Sequence, residues 1–321
     1  MDKKIIIENP GMLTTVQDKG RFGFQRFGMP VAGAMDAFAM QTANVIVGNN
    51  RNEAVIEITF PGFALTFSGK GYAGITGADL GASLNGREIK PWQSFEFRTG
   101  DRLVFASLKK GSRAYLAIVG GIDVPLVMGS RSTYLRGKIG GFEGRKLLKG
   151  DILLCGKTEQ YRALGTISLP EEFIPDYGKR EVRVVLGPQD DCFTKEEIDK
   201  FLSSTYKVTN QNDRMGYRLE GPLIKHSMGP DIISDGIAPG AIQIPGHGQP
   251  IIMLADRQTT GGYTKLANVI SVDLSLIAQL MYGDSVKFKK VSLEEAQRLY
   301  IEQEGCLLKM IKYVEDEFRK I

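Results

Sequence analysis

The chain is short of cysteine, histidine and tryptophan, and it lacks any long apolar run. Its three cysteines, Cys155, Cys192 and Cys306, lie far apart and form no C-x-x-C pair. That excludes a disulfide framework and a zinc knuckle and fits a reducing compartment. Only His226 and His247 are present, which leaves little material for a catalytic triad or a multi-histidine centre, so no metal is expected. No segment approaches the ~18 apolar residues of a spanning helix. The isoleucines Ile5 to Ile7 are too few for the core of a signal peptide, and a cytoplasmic protein is expected. An excess of one charge is also missing: 41 Lys+Arg stand against 37 Asp+Glu, a net +4 spread without a basic block. Neither a nucleic-acid surface nor a membrane surface is indicated.

What the sequence has in abundance is glycine, 38 of 321 residues, scattered between short apolar runs. This is the pattern of many short strands joined by tight turns, so the fold is expected to be mainly β with a few helices. The length suits about two domains of roughly 150 residues. Strands are predicted at 54–59, 64–67, 102–108, 113–119, 152–154, 181–186, 251–255 and 285–288. Asp36 caps a predicted helix closed by Gly48, Thr194 with Glu197 forms a capping box, and a third helix follows Asp273. Ser292 with Glu295 opens a last helix, striped by Leu293, Ala296, Tyr300, Leu307, Ile311, Val314 and Phe318, which Gly305 is expected to interrupt.

Landmarks recur along the chain. Arg21-Phe22-Gly23-Phe24 matches Arg214-Met215-Gly216-Tyr217 at an offset of 193, and Ile56-Glu57-Ile58 matches Ile242-Gln243-Ile244 at 186. Gly100-Asp101 matches Gly283-Asp284 at 183, and Gly150-Asp151 has the same form. Kept order with slowly drifting offsets fits a duplicated barrel, although short motifs also match by chance. Domains are therefore expected at 1–165 and 181–321, joined by a linker at 166–180 that overlaps most of the polar stretch 158–179.

Two phosphate-like motifs fail on context. Gly69-Lys-Gly-Tyr-Ala-Gly74 satisfies G-x-G-x-x-G, but the glycine-rich stretch after it would not hold the required helix. Gly156-Lys157-Thr158 has its upstream glycine one position too far away. Lys309 beside Met310 falls on the predicted terminal helix, not on a biotin-accepting hairpin, so no biotin is expected on this chain.

The densest polar run is Asp256-Arg257-Gln258-Thr259-Thr260-Gly261-Gly262-Tyr263, followed by Lys265. Backbone N–H groups around the two glycines can form an anion nest, while Arg257 and Lys265 supply charge for a carboxylate or phosphate. Asp256 and Gln258 can orient an amide or activate a nucleophile. A polar turn with an Asp256–Arg257 pair has the same make-up. Asp235 and Gln243 sit among small residues where a ligand or the chain itself can approach closely. Asp213 and Arg218 are placed either to bracket a polar ligand or to form a structural ion pair. The candidates are thus Asp256, Arg257 and Lys265 for catalysis, with Asp213, Arg218, Asp235, Gln243, Gln258, Thr259 and Thr260 for substrate binding.

Read together, Thr14-Thr15-Val16-Gln17-Asp18-Lys19-Gly20-Arg21, Gly129-Ser130-Arg131-Ser132-Thr133, Asp213-Arg214-Met215-Gly216-Tyr217, Gly240-Ala241-Ile242-Gln243-Ile244-Pro245 and Asp256 to Tyr263 resemble the urea amidolyase-related, biotin-dependent-carboxyltransferase-like family. The resemblance implies two cyclophilin-like β-barrel domains in tandem and an active cleft completed by a partner. Its oxoprolinase members imply a C-type subunit that works with a subunit-A-like and a subunit-B-like (KipI-like) protein to open 5-oxoproline to glutamate with ATP. Its urea carboxylase members imply carboxyl transfer to urea, and its KipA members a non-catalytic antagonist of a KipI-like kinase inhibitor. Past about Tyr300 no family motif remains.

Overall fold

The computed structural model describes residues 3–156 and 165–320. Lys157 and Thr158 of the P-loop-like motif, and the start of the 158–179 stretch, lie outside them. The chain forms two compact units: Met1–Arg21 with Asp36–Tyr177 and Gly305–Ile321, and Phe22–Met35 with Gly178–Glu304. The units interleave along the chain, whereas sequence alone suggests contiguous blocks at 1–165 and 181–321.

In the first unit the strands fall into two sheets. One orders Ile122–Asp123, Ile152–Cys155, Lys4–Pro10, Phe63–Ser68, Arg102–Phe105, Ala82–Leu84 and Arg87–Glu88; the other orders Leu13–Gln17, Val55–Thr59, Lys110–Ile118, Gly71–Asp79 and Gln93–Phe97. Alternation decides which residues go inside: Ile5 and Ile7 are buried while Lys4 and Ile6 are exposed. Both sheets feed one apolar core, where Ile7, Phe63 and Phe105 join Ile56, Ile75 and Leu116, and Phe67 stacks on Phe97 at 4.0 Å. The helix Ala37–Val45 starts as expected, with Asp36 Oδ1 accepting from the Ala39 N–H at 3.0 Å.

This packing accounts for the G-x-G-x-x-G run. Gly69 holds a left-handed turn, a Cβ on Gly71 would lie 2.9 Å from the Phe97 ring, and one on Gly74 would lie 2.7 Å from Ile46. Each glycine answers to a turn or a close neighbour, and the strand Gly71–Asp79 stands where a nucleotide fold needs a helix.

In the second unit seven strands close into a barrel: Glu181–Leu186, Lys265–Val269, Ala241–Gln243, Ile251–Met253, Gly216–Glu220, Thr205–Asn212 and Ser285–Lys290. The last strand pairs in parallel with the first, Val182 opposite Phe288, and seals the ring. Inside it Phe201 stacks on Phe288 at 4.6 Å, among Val184, Tyr206, Leu219, Ile242, Ile252 and Leu266. A separate two-stranded ribbon pairs Asp231–Gly236 with Thr260–Tyr263.

The mainly β reading holds, and so do the four helix starts. The duplicated turns share one local geometry. Arg98, Leu148 and Met281 each donate a backbone N–H to the carboxylate three residues on, at 2.7, 2.7 and 2.9 Å, ahead of the next strand. The intervening Gly100, Gly150 and Gly283 all have φ near +90°. Two details differ from the sequence reading. The terminal helix Leu293–Arg319 runs unbroken through Gly305 for 27 residues, because one glycine costs only about 1 kcal/mol in a helix this long. Its stripe is half used: Leu307 and Val314 are buried, but Leu293 and Tyr300 are exposed. Among the described residues no helix is long and apolar enough to cross a membrane.

Candidate functional site

The polar run leaves the barrel at the end of Ile251–Met253 and turns, the Arg257 N–H donating to the Leu254 carbonyl at 3.2 Å. It then enters the ribbon strand Thr260–Tyr263. The expected anion nest is therefore not formed. A nest needs alternating right- and left-handed residues, but Gly261 and Gly262 are extended and strand-paired, with Gly261 opposite Asp235.

Asp256 is buried and receives Arg214 in a fork, Nε to Oδ2 and Nη2 to Oδ1, both at 3.0 Å. Arg214 Nη2 also donates to the Gly33 carbonyl. The pairing imagined between Asp256 and Arg257 does not occur. Sequence neighbours on a turn point apart, and the duplicated arginine of the Arg-x-Gly motif takes the carboxylate instead. Its counterpart Arg21 is likewise fully buried and donates to the Ser132 carbonyl.

Arg257 is 7% exposed. It binds backbone alone: Nε donates to the Ile237 carbonyl at 2.8 Å and Nη1 to the Leu254 carbonyl at 3.0 Å. Burial without a counter-charge pushes its pKa down to about 10. Lys265 is 3% exposed, and its ammonium donates to Asp235 Oδ2 at 2.7 Å and to the Gly236 carbonyl at 3.2 Å. The two buried cations thus fasten consecutive carbonyls, Gly236 and Ile237, at the base of the ribbon. Gln243, on the neighbouring barrel strand, is 2% exposed, and its Nε2 donates to no described residue. Gln258 and Thr260 are exposed and Thr259 is half-buried on the outer side of the same turn.

The structure therefore gathers Arg257, Lys265, Asp235, Gln243, Gln258, Thr259 and Thr260 around 235–237. Asp213 and Arg218 stand apart. The Asp213 carboxylate accepts from the Met215 N–H at 2.7 Å and the Gly216 N–H at 3.2 Å, shaping the turn that presents Arg214. Arg218 alternates outward between buried Tyr217 and Leu219 and lines a surface recess with Gln211, Glu220 and His247. The two do not pair with each other. Arg218 is set by the register of its strand and Asp213 by the turn before it.

Sequence reasoning missed Arg214 as the partner of Asp256, although the repeat aligns it with Arg21. It also missed the Asp18 node of the first unit. There Ser130 and Ser132 donate to Oδ1, at 2.7 and 2.5 Å, and the Arg131 N–H donates to Oδ2 at 2.6 Å. Two motifs more than 110 residues apart thus meet on one buried carboxylate.

The Lys265 hydrogen bond holds the Asp235 carboxyl below its ordinary value of 3.8. A carboxyl depressed on folding stabilises the fold above its unfolded pKa, and the contribution is lost as pH falls through the folded value. A carbon-13 NMR titration is expected to place Asp235 below its ordinary value in the native protein and to raise it in Lys265→Met, where the Gly236 N–H still holds it down. Equal midpoints would show that the contact is not formed in solution.

A family model described as the carboxyltransferase domain, subdomain A and B, matches residues 27–290. The chain is 40% identical over 301 residues to the C subunit of 5-oxoprolinase from Escherichia coli (strain K12), covering 91% of this chain and 95% of that protein. It is 35% identical over 320 residues to the urea amidolyase of Saccharomyces cerevisiae, covering 94% of this chain but only 17% of that protein. The crystal structure of the K. lactis urea amidolyase superposes with a TM-score of 0.90 at 32% identity, over 96% of this chain and 20% of that one. With its barrel, its motifs and most of its length accounted for in this way, the chain belongs to the carboxyltransferase domain family, subdomain A and B.

Proposed function

We propose that the chain is the C subunit of an ATP-dependent 5-oxoprolinase, a cytoplasmic hydrolase of a cyclic amide that is active only in complex with subunit-A-like and subunit-B-like proteins. The observation that carries this reading is the end-to-end match to a free-standing 5-oxoprolinase C subunit, 95% of whose length is covered. The urea amidolyases match equally along this chain, yet it would be a fifth of them or less. That likeness supports a second reading, the carboxyltransferase component of a urea carboxylase-like system. Both substrates present a planar C(=O)–N group whose reaction builds negative charge on oxygen, so preorganised donors serve either one.

On this reading the polar cluster around 235–237 is the substrate end of the cleft. Lys265 and Arg257 supply fixed positive charge, and Gln258, Thr259 and Thr260 supply hydrogen bonds that orient the amide. Asp256 acts through Arg214, as a positioning residue, because its carboxylate is already bound. ATP serves the assembled complex. The glycines 69, 71 and 74 do not fit a phosphate cradle, and no nucleotide contact is assigned to this chain.

Purified alone, the chain is expected to open no 5-oxoproline, and to do so once mixed with its two partner proteins. Turnover by the chain alone, undiminished without the partners, would overturn this reading.

A further inference from the structure

We propose that the ribbon of Asp231–Gly236 and Thr260–Tyr263 is the surface on which this chain docks the protein that completes its cleft, with Ile233 as the anchoring side chain. The partner is a protein that presents an apolar pocket rimmed by Lys or Arg. The inference rests on the oxoprolinase reading for the choice of partner proteins, and it adds the face of this chain that one of them needs.

Strand register puts Ile233 where it is. Asp231 stands opposite Tyr263 and Asp235 opposite Gly261, so residues 232–234 face Gly262 alone. A bulge of this kind re-aims side chains, and the middle residue, Ile233, is left 95% exposed. Gly262 admits the bulge, since a Cβ there would lie 3.3 Å from the Ile232 carbonyl oxygen. The bulged strand is tied at both ends. Lys265 and Arg257 hold the Gly236 and Ile237 carbonyls, and the Thr264 N–H donates to the Pro230 carbonyl at 3.1 Å. An apolar side chain held out on a fixed backbone loses less freedom on binding than one on a loose loop. Exposed Met228 just precedes the ribbon and exposed Tyr263 ends it.

Charge selects the partner. No Lys or Arg lies between Lys225 and Arg257, or between Arg257 and Lys265, although the chain carries 41 of them. The ribbon's exposed charges are therefore Asp231 and Asp235, and the cation bound to Asp235 is itself buried. An apolar anchor with an acidic rim fits an apolar pocket with a basic rim. It disfavours a second copy of the same ribbon, whose like charges would meet. The exposed Gln258 and Thr260 adjoin the ribbon, so a protein seated on Ile233 also excludes water from their hydrogen bonds to substrate.

The test mixes the full chain with the subunit-A-like and subunit-B-like proteins, separately and together, and measures affinity by calorimetry. One of the two is expected to bind the wild-type chain, and Ile233→Ser to weaken that complex by about tenfold or more. The melting temperature of the free variant should match wild type, because so exposed a side chain adds no burial to the fold. Asp231→Lys is expected to slow association about tenfold at low salt, a difference that vanishes near about 0.5 M salt. At saturating partner both variants are expected to turn over like wild type, since neither residue touches substrate. Failure of both proteins to bind, unchanged affinity in Ile233→Ser, self-association of the chain through Ile233, or a loss of turnover that persists at saturation would overturn the docking surface. A complex that needs Ile233 yet opens no 5-oxoproline would leave the surface standing and overturn the oxoprolinase reading instead.

Discussion

Asp256→Ala is expected to destabilise the second unit by about 3–5 kcal/mol, the largest stability effect among the site residues. Its carboxylate takes two N–H groups of Arg214 in a fork from which water is excluded, and the side chains are only 6% and 4% exposed. Removing the carboxylate leaves the guanidinium buried without the anion it was folded around, which is costlier than never having had the pair. The double replacement Asp256→Leu with Arg214→Met should recover much of the loss, because two apolar groups of similar size need no desolvation. Urea unfolding of the single and double variants measures both. If Asp256→Ala instead melts like wild type and abolishes turnover per folded molecule, then Asp256 touches substrate and the positioning role is wrong.

Lys265→Met is expected to lower kcat/KM of the assembled complex about a hundredfold, the cost of losing one fixed positive donor at a developing anion. Its effect on the melting temperature should be small. The ammonium is buried, but its partner Asp235 has a 57% exposed side chain, and a pair half in water contributes little to stability. Methionine fills the same buried volume as the lysine stem. A purely structural role would lower the melting temperature and leave active-fraction-corrected turnover unchanged. Asp235→Asn separates the contributions further, since it keeps the cation and removes the counter-charge.

Much of this architecture was legible in the sequence because short-range physics decides it. Turn glycines need positive φ, cap residues need free N–H groups, and two-residue alternation sorts Ile5 and Ile7 from Lys4 and Ile6. The repeat was legible for the same reason, as each Gly-Asp turn carries its own hydrogen bond. The site was legible in composition but not in pairing. Asp256 and Arg257 are adjacent in sequence and attractive as a pair, yet the turn sends one to Arg214, 42 residues away, and the other to the Ile237 carbonyl. The Gly-Gly step could be a nest or a strand, and strand pairing with Asp231–Gly236 decided it. Arg218 and Asp213 do not pair because Arg218 follows the outward alternation of its strand while the Asp213 carboxylate is taken up by the N–H groups of its own turn. The interleaving of the two units could not be read at all, since nothing local in Phe22–Met35 marks it as belonging with Gly178–Glu304.

The most direct test of the central claim is ADP release by the chain assembled with its subunit-A-like and subunit-B-like partners. It is measured with 5-oxoproline, and in the same preparation with urea plus carboxybiotin scored for carboxylated urea. The account predicts ADP release that depends on 5-oxoproline and yields glutamate, with no carboxyl transfer to urea. Transfer to urea without 5-oxoproline-dependent ADP release would contradict it.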